Sequence, residues 1–395
     1  MRSKGFTNFV MALMMLFLIL GIGKIAAGQN LAQDGSNYWP TTSWSSSTPD
    51  EQGMNATKLV ELMDYLDNES ALHPTGVLVV RNGYIVLEEY LSTTLGENRT
   101  LDILSCTSSI ISALVGIALD QDILGIDDPI LEFFPDLEID NYDARKESIT
   151  IEHLLTNTAG LSWEENTDPI SMRVQDDWVQ YVLDKTMIHE PGTFFEYNSG
   201  LAHILSAILE NVTGMTTLEF AETMLFEPLG ITEYDWGADP QGIYDGGGGL
   251  ELSLRDIAKF GYLYLNNGSW DGAQIVPQSW IIQSSSSHIN VNTIKDYGYL
   301  WWIYRGAGIY NAVGFTARAV SIIPEYNIVA IVTGYDSTGD FLRNQWLHAL
   351  REYIIPAAIE GPSIPNPIDL TPLILGGAIA SVVIVLVAIQ MRKRK

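Results

Sequence analysis

Residues 104–110 read LSCTSSI and open an apolar run that continues to Ala118. The apolar side chains recur every three or four residues, which predicts a buried helix with Ser105 in its first turn. Backbone N–H groups at the start of a helix are unpaired and can stabilise an oxyanion, so a serine at this place is well positioned to act as a nucleophile. Such a serine also needs a base, and one turn later the same helix face carries Ser108, which cannot take the proton.

The start of this helix has two other interpretations. Ser105 could simply cap the helix, because serine is a preferred N-cap residue. Cys106 could be proposed as the nucleophile, although a cysteine beside an apolar helix is more often a small buried hydrophobic residue. Because Cys106 is the only cysteine of the chain, no intramolecular disulfide can form.

The composition indicates a globular domain that does not bind nucleic acid. A chain of 395 residues with 47% hydrophobic side chains can bury a sizeable core. Seven of the 21 lysines and arginines lie in residues 1–28 and 392–395, where no Asp or Glu occurs, so the rest of the chain holds 14 basic and 48 acidic side chains. This balance of −34 repels phosphate backbones. The six histidines show no metal-ligand spacing, so we expect neither a metal nor another cofactor.

Both ends of the chain carry apolar segments. Residues 1–28 combine basic residues, an apolar stretch and a small-residue end, which predicts a secretory signal peptide or, if uncleaved, a signal anchor. Residues 370–391 contain no charged side chain and precede the basic tail 392–395, which predicts a transmembrane helix with a cytoplasmic tail. We therefore expect a membrane protein, anchored once or at both ends, whose large domain lies outside the cytoplasm at the cell surface.

The remaining chain divides into a Ser/Thr-rich lead at 29–48, a domain at 49–355 and a Pro-rich stalk at 356–369. Within the domain, residues 76–87 form two β-rich runs around an Asn-Gly pair, which predicts a hairpin. Two further strands are predicted late in the domain, at 319–323 and 328–333.

The region between the early and the late strands is mainly helical in its pattern, from Ser105 to about Leu229. Strands at both ends with helices between them indicate an α+β fold. We expect one antiparallel β-sheet flanked by helices, with an inserted, mostly helical subdomain and the active site in the cleft between the two.

Two composition features near the expected cleft have ordinary explanations. The four glycines at 246–249 are predicted to form a flexible rim of the cleft, because no Lys-Ser/Thr follows them as a phosphate-binding loop would require. The aromatic side chains at 297–302 alternate along a predicted strand, so some should lie in the core and others should line the cleft.

Five short stretches of the domain can be compared with known motifs by their order and spacing: EQGM at 51–54, VVRNG at 79–83, ITIEHLLT at 149–156, YNSG at 197–200 and YGYLWW at 297–302. Their order and spacing resemble those of the serine β-lactamase, penicillin-binding protein and esterase superfamily. The resemblance is closest to the class C-like branch of esterases and short-amide hydrolases. It implies a β-lactamase/transpeptidase-like fold.

The resemblance also implies which residues form the site. The first motif of the family, Ser-x-x-Lys, carries the nucleophile and a lysine that supports its deprotonation. It matches Ser105 and Ser108, so the nucleophile is kept and a serine stands at the lysine position. The second motif, Tyr-x-Asn, provides a tyrosine as base or proton relay and matches Tyr197 and Ser199. Ser199 would still offer the substrate a hydrogen bond.

The third motif, Lys-Thr-Gly or a relaxed version of it, lies on the strand that forms one wall of the cleft. Its distance from Pro324 assigns it to the segment from Ala312 to Gly314, which lacks the cation but keeps the glycine. By the same resemblance, Ala312 and Gly314 contact the substrate. The backbone N–H groups of Ser105 and Phe315 would form the oxyanion hole.

Two functions are consistent with these residues. The first is a surface-anchored serine hydrolase that acts on a small ester or amide through an acyl-enzyme on Ser105, with Tyr197 as the remaining proton-transfer group. The second is a catalytically degenerate member of the family, retained as a binding or scaffolding domain at the cell surface. Ser108 separates them, because an unperturbed tyrosine titrates at about pH 10 and Tyr197 without a neighbouring cation is a poor base.

Overall fold

The computed structural model describes residues 38–68, 72–93, 95–336 and 345–362. The segments predicted as signal, transmembrane helix and basic tail lie outside these ranges, so those predictions stay predictions. None of the helices within the described ranges combines the length and the apolar character needed to cross a bilayer.

The described helices are α1 (Ala56–Asn68), α2 (Cys106–Asp120), α3 (Ile151–Leu155), α4 (Asp168–Met172), α5 (Trp178–Leu183), α6 (Ser199–Thr213), α7 (Thr217–Ala221), α8 (Glu227–Leu229), α9 (Leu254–Leu265), α10 (Gln278–Ser284), α11 (Trp346–Ala349) and α12 (Ile355–Glu360). The strands are β1 (Leu72–Arg81), β2 (Tyr84–Tyr90), β3 (Leu101–Asp102), β4 (Asp235–Trp236), β5 (Leu250–Leu252), β6 (Ser269–Trp270), β7 (Ala273–Gln274), β8 (Ile289–Asn290), β9 (Lys295–Tyr297), β10 (Trp302–Tyr304), β11 (Ile309–Gly314), β12 (Arg318–Ile323) and β13 (Ile328–Asp336). Two π-helical turns, Glu222–Phe226 and Leu350–Ile354, continue α7 into α8 and α11 into α12.

The main sheet has the strand order β2-β1-β13-β12-β11-β10-β9-β8. Every neighbouring pair in it is antiparallel. β1, from the start of the domain, pairs with β13, from its end, and places Leu78 opposite Ile331. The predicted α+β fold, with one antiparallel sheet assembled from both ends of the domain, is confirmed. The chain between β2 and β8 contains α2 to α10, in agreement with the predicted helical insertion.

The early hairpin forms where the Asn-Gly pair predicted it. Asn82 has a φ of 53° and Gly83 a φ of 85°, the left-handed conformations that a two-residue type I′ turn requires. β1 and β2 pair across this turn, with Arg81 opposite Tyr84. Local turn chemistry therefore sets the register of the first two strands.

Alternate residues of the sheet pack on opposite faces. On β1, Val77 and Val79 belong to the cluster that includes side chains of α1, α11 and α12. Leu78 and Val80 belong to the larger core, which includes side chains of α2, α6 and α9. Helix α2 is buried on all sides from Cys106 to Ala118. The helix that begins after Ser105 is therefore fixed on the face of the sheet opposite to α1.

The last helix crosses the predicted boundary between domain and stalk at residue 355. α12 extends to Glu360, and the carbonyl of Ala357 accepts a hydrogen bond of 2.8 Å from the N–H of Asn55. The Pro-rich composition was misleading because Pro356 lies in the first turn of the helix, where a proline is tolerated. The first residues of the predicted stalk thus belong to the folded domain.

The described part of the predicted lead is also folded. Trp44 is buried, and its Nε1 donates a hydrogen bond of 2.9 Å to the carbonyl of Arg255. The N–H of Ile85 donates to the carbonyl of Ser45, and the N–H of Ser47 donates to the carbonyl of Ile85, each at 3.0 Å. The lead therefore runs beside β2, a contact that its Ser/Thr composition did not predict.

Candidate active site

Ser105 occupies the N-cap position of α2, directly after a strained residue. Leu104 has a φ of 52°, which residues other than glycine rarely adopt and which costs about 1–3 kcal/mol. The N–H of Leu104 donates a hydrogen bond of 2.7 Å to Oδ1 of Asp102, which supports this turn between β3 and α2. Ser105 is half-buried and makes no side-chain cap hydrogen bond to the helix. Its hydroxyl therefore does not serve as the N-cap that the alternative interpretation proposed.

Ser108 lies one turn further along α2 and is 4% exposed. Its Oγ donates a hydrogen bond of 3.3 Å to the carbonyl of Gly246. At the position where the family's motif has an ammonium group, this chain presents a neutral hydroxyl bound to backbone. Ser108 thus supplies neither a base nor a positive charge to Ser105.

The four-glycine segment is a closely packed turn rather than a flexible rim. A Cβ atom on Gly246 would lie 2.0 Å from the carbonyl oxygen of Ala202, and one on Gly247 would lie 2.7 Å from the carbonyl oxygen of Ser199. The N–H of Gly247 donates a hydrogen bond of 2.8 Å to Oδ1 of Asp245. The prediction of a flexible rim was wrong because these glycines permit close approach of the turn to α6. We refer to residues 245–249 as the glycine turn.

Tyr197 brings its phenol to Ser105. The Ser105 hydroxyl lies close enough to the phenol to lower the pKa of Tyr197. The Tyr197 ring stacks on Trp302 at a centroid distance of 5.8 Å and meets Tyr297 edge-on at 6.5 Å. Trp302 is half-buried beside Tyr197, whereas Tyr297, Tyr299 and Trp301 are all buried in the core. The predicted alternation along one strand was wrong, because β9 ends at Tyr297 and β10 begins at Trp302.

The phenol of Tyr197 is protonated at neutral pH. Burial raises its pKa well above the ordinary value, and the negative charge of Glu165 raises it further. The nearby Ser105 hydroxyl lowers the pKa, but by less than burial raises it. Tyr197 is therefore well placed to exchange a proton with Ser105 and is a weak base.

Glu165 is a site residue that the sequence did not reveal. Its Oε2 accepts hydrogen bonds from the N–H and the Oγ of Ser199, both at 3.1 Å, and from Nε1 of Trp163 at 2.6 Å. Burial raises the pKa of the Glu165 carboxyl, and these neutral donors offset only part of that effect. Ser199 is thus held at the start of α6 by a carboxylate, and no motif of the resemblance includes Glu165.

The end of β11 lies against the turn that leads to Ser105. A Cβ atom on Gly314 would lie 2.6 Å from the carbonyl oxygen of Ile103 and 3.0 Å from Cβ of Leu104. Only a glycine allows this approach, which explains why the glycine of the third motif is kept. Ala312, two residues earlier, is buried in the core, so its side chain is not exposed to a ligand.

The two predicted oxyanion donors are available for a ligand. Within the described part of the chain, the N–H groups of Ser105 and Phe315 donate no hydrogen bond. Each is adjacent to a residue with a positive φ, Leu104 at 52° and Thr316 at 69°. Unpaired N–H groups at two strained turns that lie against each other are suited to bind a developing negative charge.

Cys106 is a buried structural residue. Burial raises the pKa of its thiol to about 12, so the thiolate is absent at neutral pH. Among the described residues, no lysine or arginine donates a hydrogen bond to Ser105, Ser108 or Tyr197. The described ranges also contain no group of three or more His, Cys, Asp or Glu side chains that could hold a metal ion.

The fold and the arrangement of the candidate site are those of a β-lactamase-like protein. A serine at a helix start, a tyrosine before a second helix and the end of a sheet strand converge at one place, as in the serine β-lactamase and penicillin-binding protein superfamily. The beta-lactamase family model matches residues 60–351, and the chain belongs to this family.

Several known proteins, among them hydrolases, are similar to this chain. An uncharacterized protein of Alkalihalophilus pseudofirmus is 26% identical over 70% of this chain and 86% of its own length. The 6-aminohexanoate-dimer hydrolase of Paenarthrobacter ureafaciens is 26% identical over 57% of this chain and 60% of that enzyme. A putative 6-aminohexanoate-dimer hydrolase from Bacillus anthracis has a similar structure, with a TM-score of 0.69, 19% identity, and coverage of 83% of this chain and 90% of that one. The hydrolase EstCE1 gives a TM-score of 0.64, with 16% identity and coverage of 78% and 99%.

Proposed function

We propose that the chain is a serine hydrolase that acts on a small ester or amide through an acyl-enzyme on Ser105. The observation that carries this proposal is the interaction of the Ser105 hydroxyl with the phenol of Tyr197 at a turn with unpaired N–H groups. In the minor fraction of molecules in which Tyr197 is ionised, the Ser105 oxygen attacks the substrate carbonyl while its proton passes to the phenolate. The N–H groups of Ser105 and Phe315 bind the oxyanion, and the Tyr197 phenol gives the proton to the leaving group, which departs and leaves the acyl-enzyme. Water then attacks the acyl-enzyme and gives a proton to the Tyr197 phenolate, the acid is released, and the proton returns to Ser105.

The proposed reaction is slow. The serine at position 108 provides no cation, and the raised pKa of Tyr197 disfavours the phenolate that would accept the proton. A positioned general base typically contributes about 10²–10⁴-fold to a rate, so a weak base leaves much of that factor unrealised. Of the three residues predicted to contact the substrate, Ser199 and Gly314 lie at the candidate site. In this proposal the acyl chain lies between Ser199 and the backbone of Gly314.

Labelling with a fluorophosphonate tests the proposal on the full chain in detergent. The probe phosphonylates an activated serine, so we expect slow, saturable labelling that the Ser105→Ala variant abolishes. Esters and amides of short acids are then compared as substrates of the same preparation. Equal labelling of the Ser105→Ala variant would overturn the proposal, because the reactive residue would then be another one.

A catalytically degenerate binding domain is the second candidate function. The hydrogen bond of Ser108 to Gly246 favours it, because this contact ties the lysine position to the glycine turn instead of the nucleophile. In that case, prolonged incubation with the fluorophosphonate leaves Ser105 unlabelled while the protein remains folded. The same experiment thus separates the two functions.

We also propose that the domain is held at the cell surface by the segment 370–391. The support is the uncharged, apolar sequence followed by four basic residues. Protease added to intact cells should then remove the domain and spare a fragment that contains the tail. Protection of the domain from the protease would contradict this topology.

A further inference from the structure

Arg173 lies at the edge of the site, on a part of the chain that no motif of the family covers. It follows α4, and its side chain is 55% exposed. A Cβ atom on Gly248 would lie 3.7 Å from Nη2 of Arg173 and 4.0 Å from the carbonyl carbon of Leu104, the residue before Ser105. A single glycine of the glycine turn therefore separates the Arg173 guanidinium from the chain that carries the nucleophile.

The glycine turn also connects Arg173 to the other side of the site. A Cβ atom on Gly247 would lie 3.1 Å from Cβ of Ser199. The turn thus contacts the residue before Ser105 at one glycine and Ser199 at the next. A substrate bound between Ser105 and Ser199 would lie beside the glycine turn. Because Gly248 has no side chain, it does not block such a substrate from reaching Arg173.

The guanidinium of Arg173 donates no hydrogen bond to a described carboxylate, whereas three other arginines of the domain do. Arg145 donates to Asp143 at 2.6 Å, Arg255 to Glu88 at 2.7 Å and Arg305 to Asp296 at 2.8 Å. For Arg173, the nearest carboxylate oxygen in the described part of the chain is Oδ2 of Asp245, at 3.7 Å, beyond hydrogen-bond distance.

Asp245 lies beside the guanidinium without accepting a hydrogen bond from it. Asp245 is 5% exposed, and its Oδ1 accepts the N–H of Gly247 in the same turn. The carboxylate is therefore fixed to the glycine turn, and the guanidinium near it is exposed at the edge of the site. A planar guanidinium with available donors binds a carboxylate in a two-pronged geometry.

We propose that Arg173 binds a carboxylate of the substrate, so that the site selects esters or amides that carry a second, anionic group. This inference rests on the proposed function, because it names the substrate class of the same site. The surface of the domain, with 14 basic and 48 acidic side chains outside the chain ends, repels anions in general. A cation at the edge of the site is what allows an anionic substrate to bind there in preference to elsewhere.

Matched substrates test the proposal. In the first pair the acyl group does or does not carry a carboxylate: mono-4-nitrophenyl adipate is compared with 4-nitrophenyl hexanoate. In the second pair the leaving group does or does not carry one: 3-butyryloxybenzoate is compared with phenyl butyrate. We expect the full chain to prefer the carboxylate member of at least one pair. Arg173→Gln should raise KM for that member about tenfold or more and change the neutral member less than twofold. Arg173→Lys should retain part of the preference, and added salt should weaken it.

The control variant is Arg145→Gln, which removes an arginine already bonded to Asp143 and should leave both pairs unchanged. Calorimetric titration of the adipate monoester into the Ser105→Ala variant, with and without Arg173→Gln, measures recognition without turnover. If binding depends on Arg173 but the wild-type chain hydrolyses none of the four esters, the recognition is supported and the hydrolase is overturned. Hydrolysis of both pairs with no preference that depends on Arg173 would overturn this inference and leave the hydrolase standing.

Discussion

The segment that follows Trp163 carries two carboxylates with opposite surroundings. Asp168 accepts hydrogen bonds from Nζ of Lys185 and from Oη of Tyr181, the latter at 2.7 Å. Glu165, three residues earlier, accepts only from neutral groups, among them Nε1 of Trp163 at 2.6 Å. Lys185 itself lies 5.7 Å from the centroid of the Trp163 ring. The cation nearest to this segment is therefore engaged by Asp168.

The pKa values of the two carboxyls differ accordingly. Burial opposes ionisation of both, but the hydrogen bonds of Asp168, with that from Lys185 the largest, lower its pKa below the ordinary value. The pKa of Glu165 is raised, because neutral donors do not offset its burial. The comparison shows that Asp168 is stabilised by a cation, whereas Glu165, beside Ser199, accepts hydrogen bonds from neutral groups alone. The charge of Glu165 then raises the pKa of Tyr197 and weakens this phenol as a base.

The largest expected effect comes from removing the phenol oxygen of Tyr197, whose pKa the charge of Glu165 raises. Tyr197→Phe keeps the ring that stacks on Trp302 and removes the oxygen that interacts with Ser105. We expect the rate of fluorophosphonate labelling to fall by about 10–10²-fold, because a weak base supplies only part of the rate factor of a general base. Tyr142→Phe, at an exposed tyrosine far from the site in sequence, is the matched control. Unchanged labelling of Tyr197→Phe would show that this phenol takes no part in proton transfer.

The next largest effect comes from removing the cation that pairs with Asp168. Lys185→Met leaves a partly buried carboxylate without its cation, and we expect a loss of about 2 kcal/mol of unfolding free energy, or roughly 4 °C in Tm. Thermal unfolding followed by circular dichroism measures it. Lys58→Met, which removes a surface pair with Glu61 on α1, should cost much less stability, because solvent screens an exposed ion pair. Equal losses in the two variants would contradict the contrast drawn here.

The loss caused by Lys185→Met should depend on pH with a defined sign. The pKa of Asp168 is lowered in the folded state, so its stabilisation is present above the unfolded pKa, about 3.9, and is lost as pH falls through the folded value. The pKa of Lys185 is raised, so its stabilisation is present below about 10.4 and is lost as pH rises through the folded value. The difference in Tm between the variant and the wild type should therefore be largest between these two limits.

Much of the fold could be predicted because its signals are local. The Asn82-Gly83 pair determines the first hairpin, and the apolar run after Ser105 forms α2 as its periodicity indicates. The end of the domain was misjudged for the same reason. Pro356 is a local sign of a stalk, whereas the contact of Ala357 with Asn55 joins residues far apart in the sequence.

The site was predicted only where a family motif names its residues. The structure places Ser105 near Tyr197 and Gly314 against the turn before Ser105, and the catalytic roles that the resemblance implies stay predictions. Glu165 and Arg173 lie between motifs and have no spacing that marks them. Their places in the structure depend on contacts with α6 and the glycine turn. The glycine turn itself was misread, because a run of glycines can indicate either flexibility or close packing and the sequence does not distinguish them.

A lysine at position 108 would bring a cation to the side of the site that lacks one. Ser108→Lys should raise fluorophosphonate labelling about tenfold, because an ammonium group near Tyr197 lowers the pKa of the phenol. Ser108 is 4% exposed, so the larger side chain should also cost about 1–3 kcal/mol of stability. Ser108→Ala, which removes only the hydrogen bond to Gly246, is the control and should give no gain. No gain from the lysine in a folded protein would mean that the site has lost more than this residue.

The smallest effect comes from removing the uncompensated charge itself. Glu165→Gln keeps an oxygen that can accept from Ser199 and abolishes the negative charge that raises the pKa of Tyr197. The alkaline rise of the labelling rate should therefore move to lower pH, with a gain of a few-fold at about pH 8. Because the pKa of Glu165 is raised, the carboxyl becomes neutral on acidification earlier than an exposed glutamate, and the gain should disappear there. Glu164→Gln, at the exposed neighbour, should leave the profile unchanged. A loss of rate at every pH in Glu165→Gln would instead assign Glu165 the task of positioning Ser199, and the charge contrast with Asp168 would then have no bearing on catalysis.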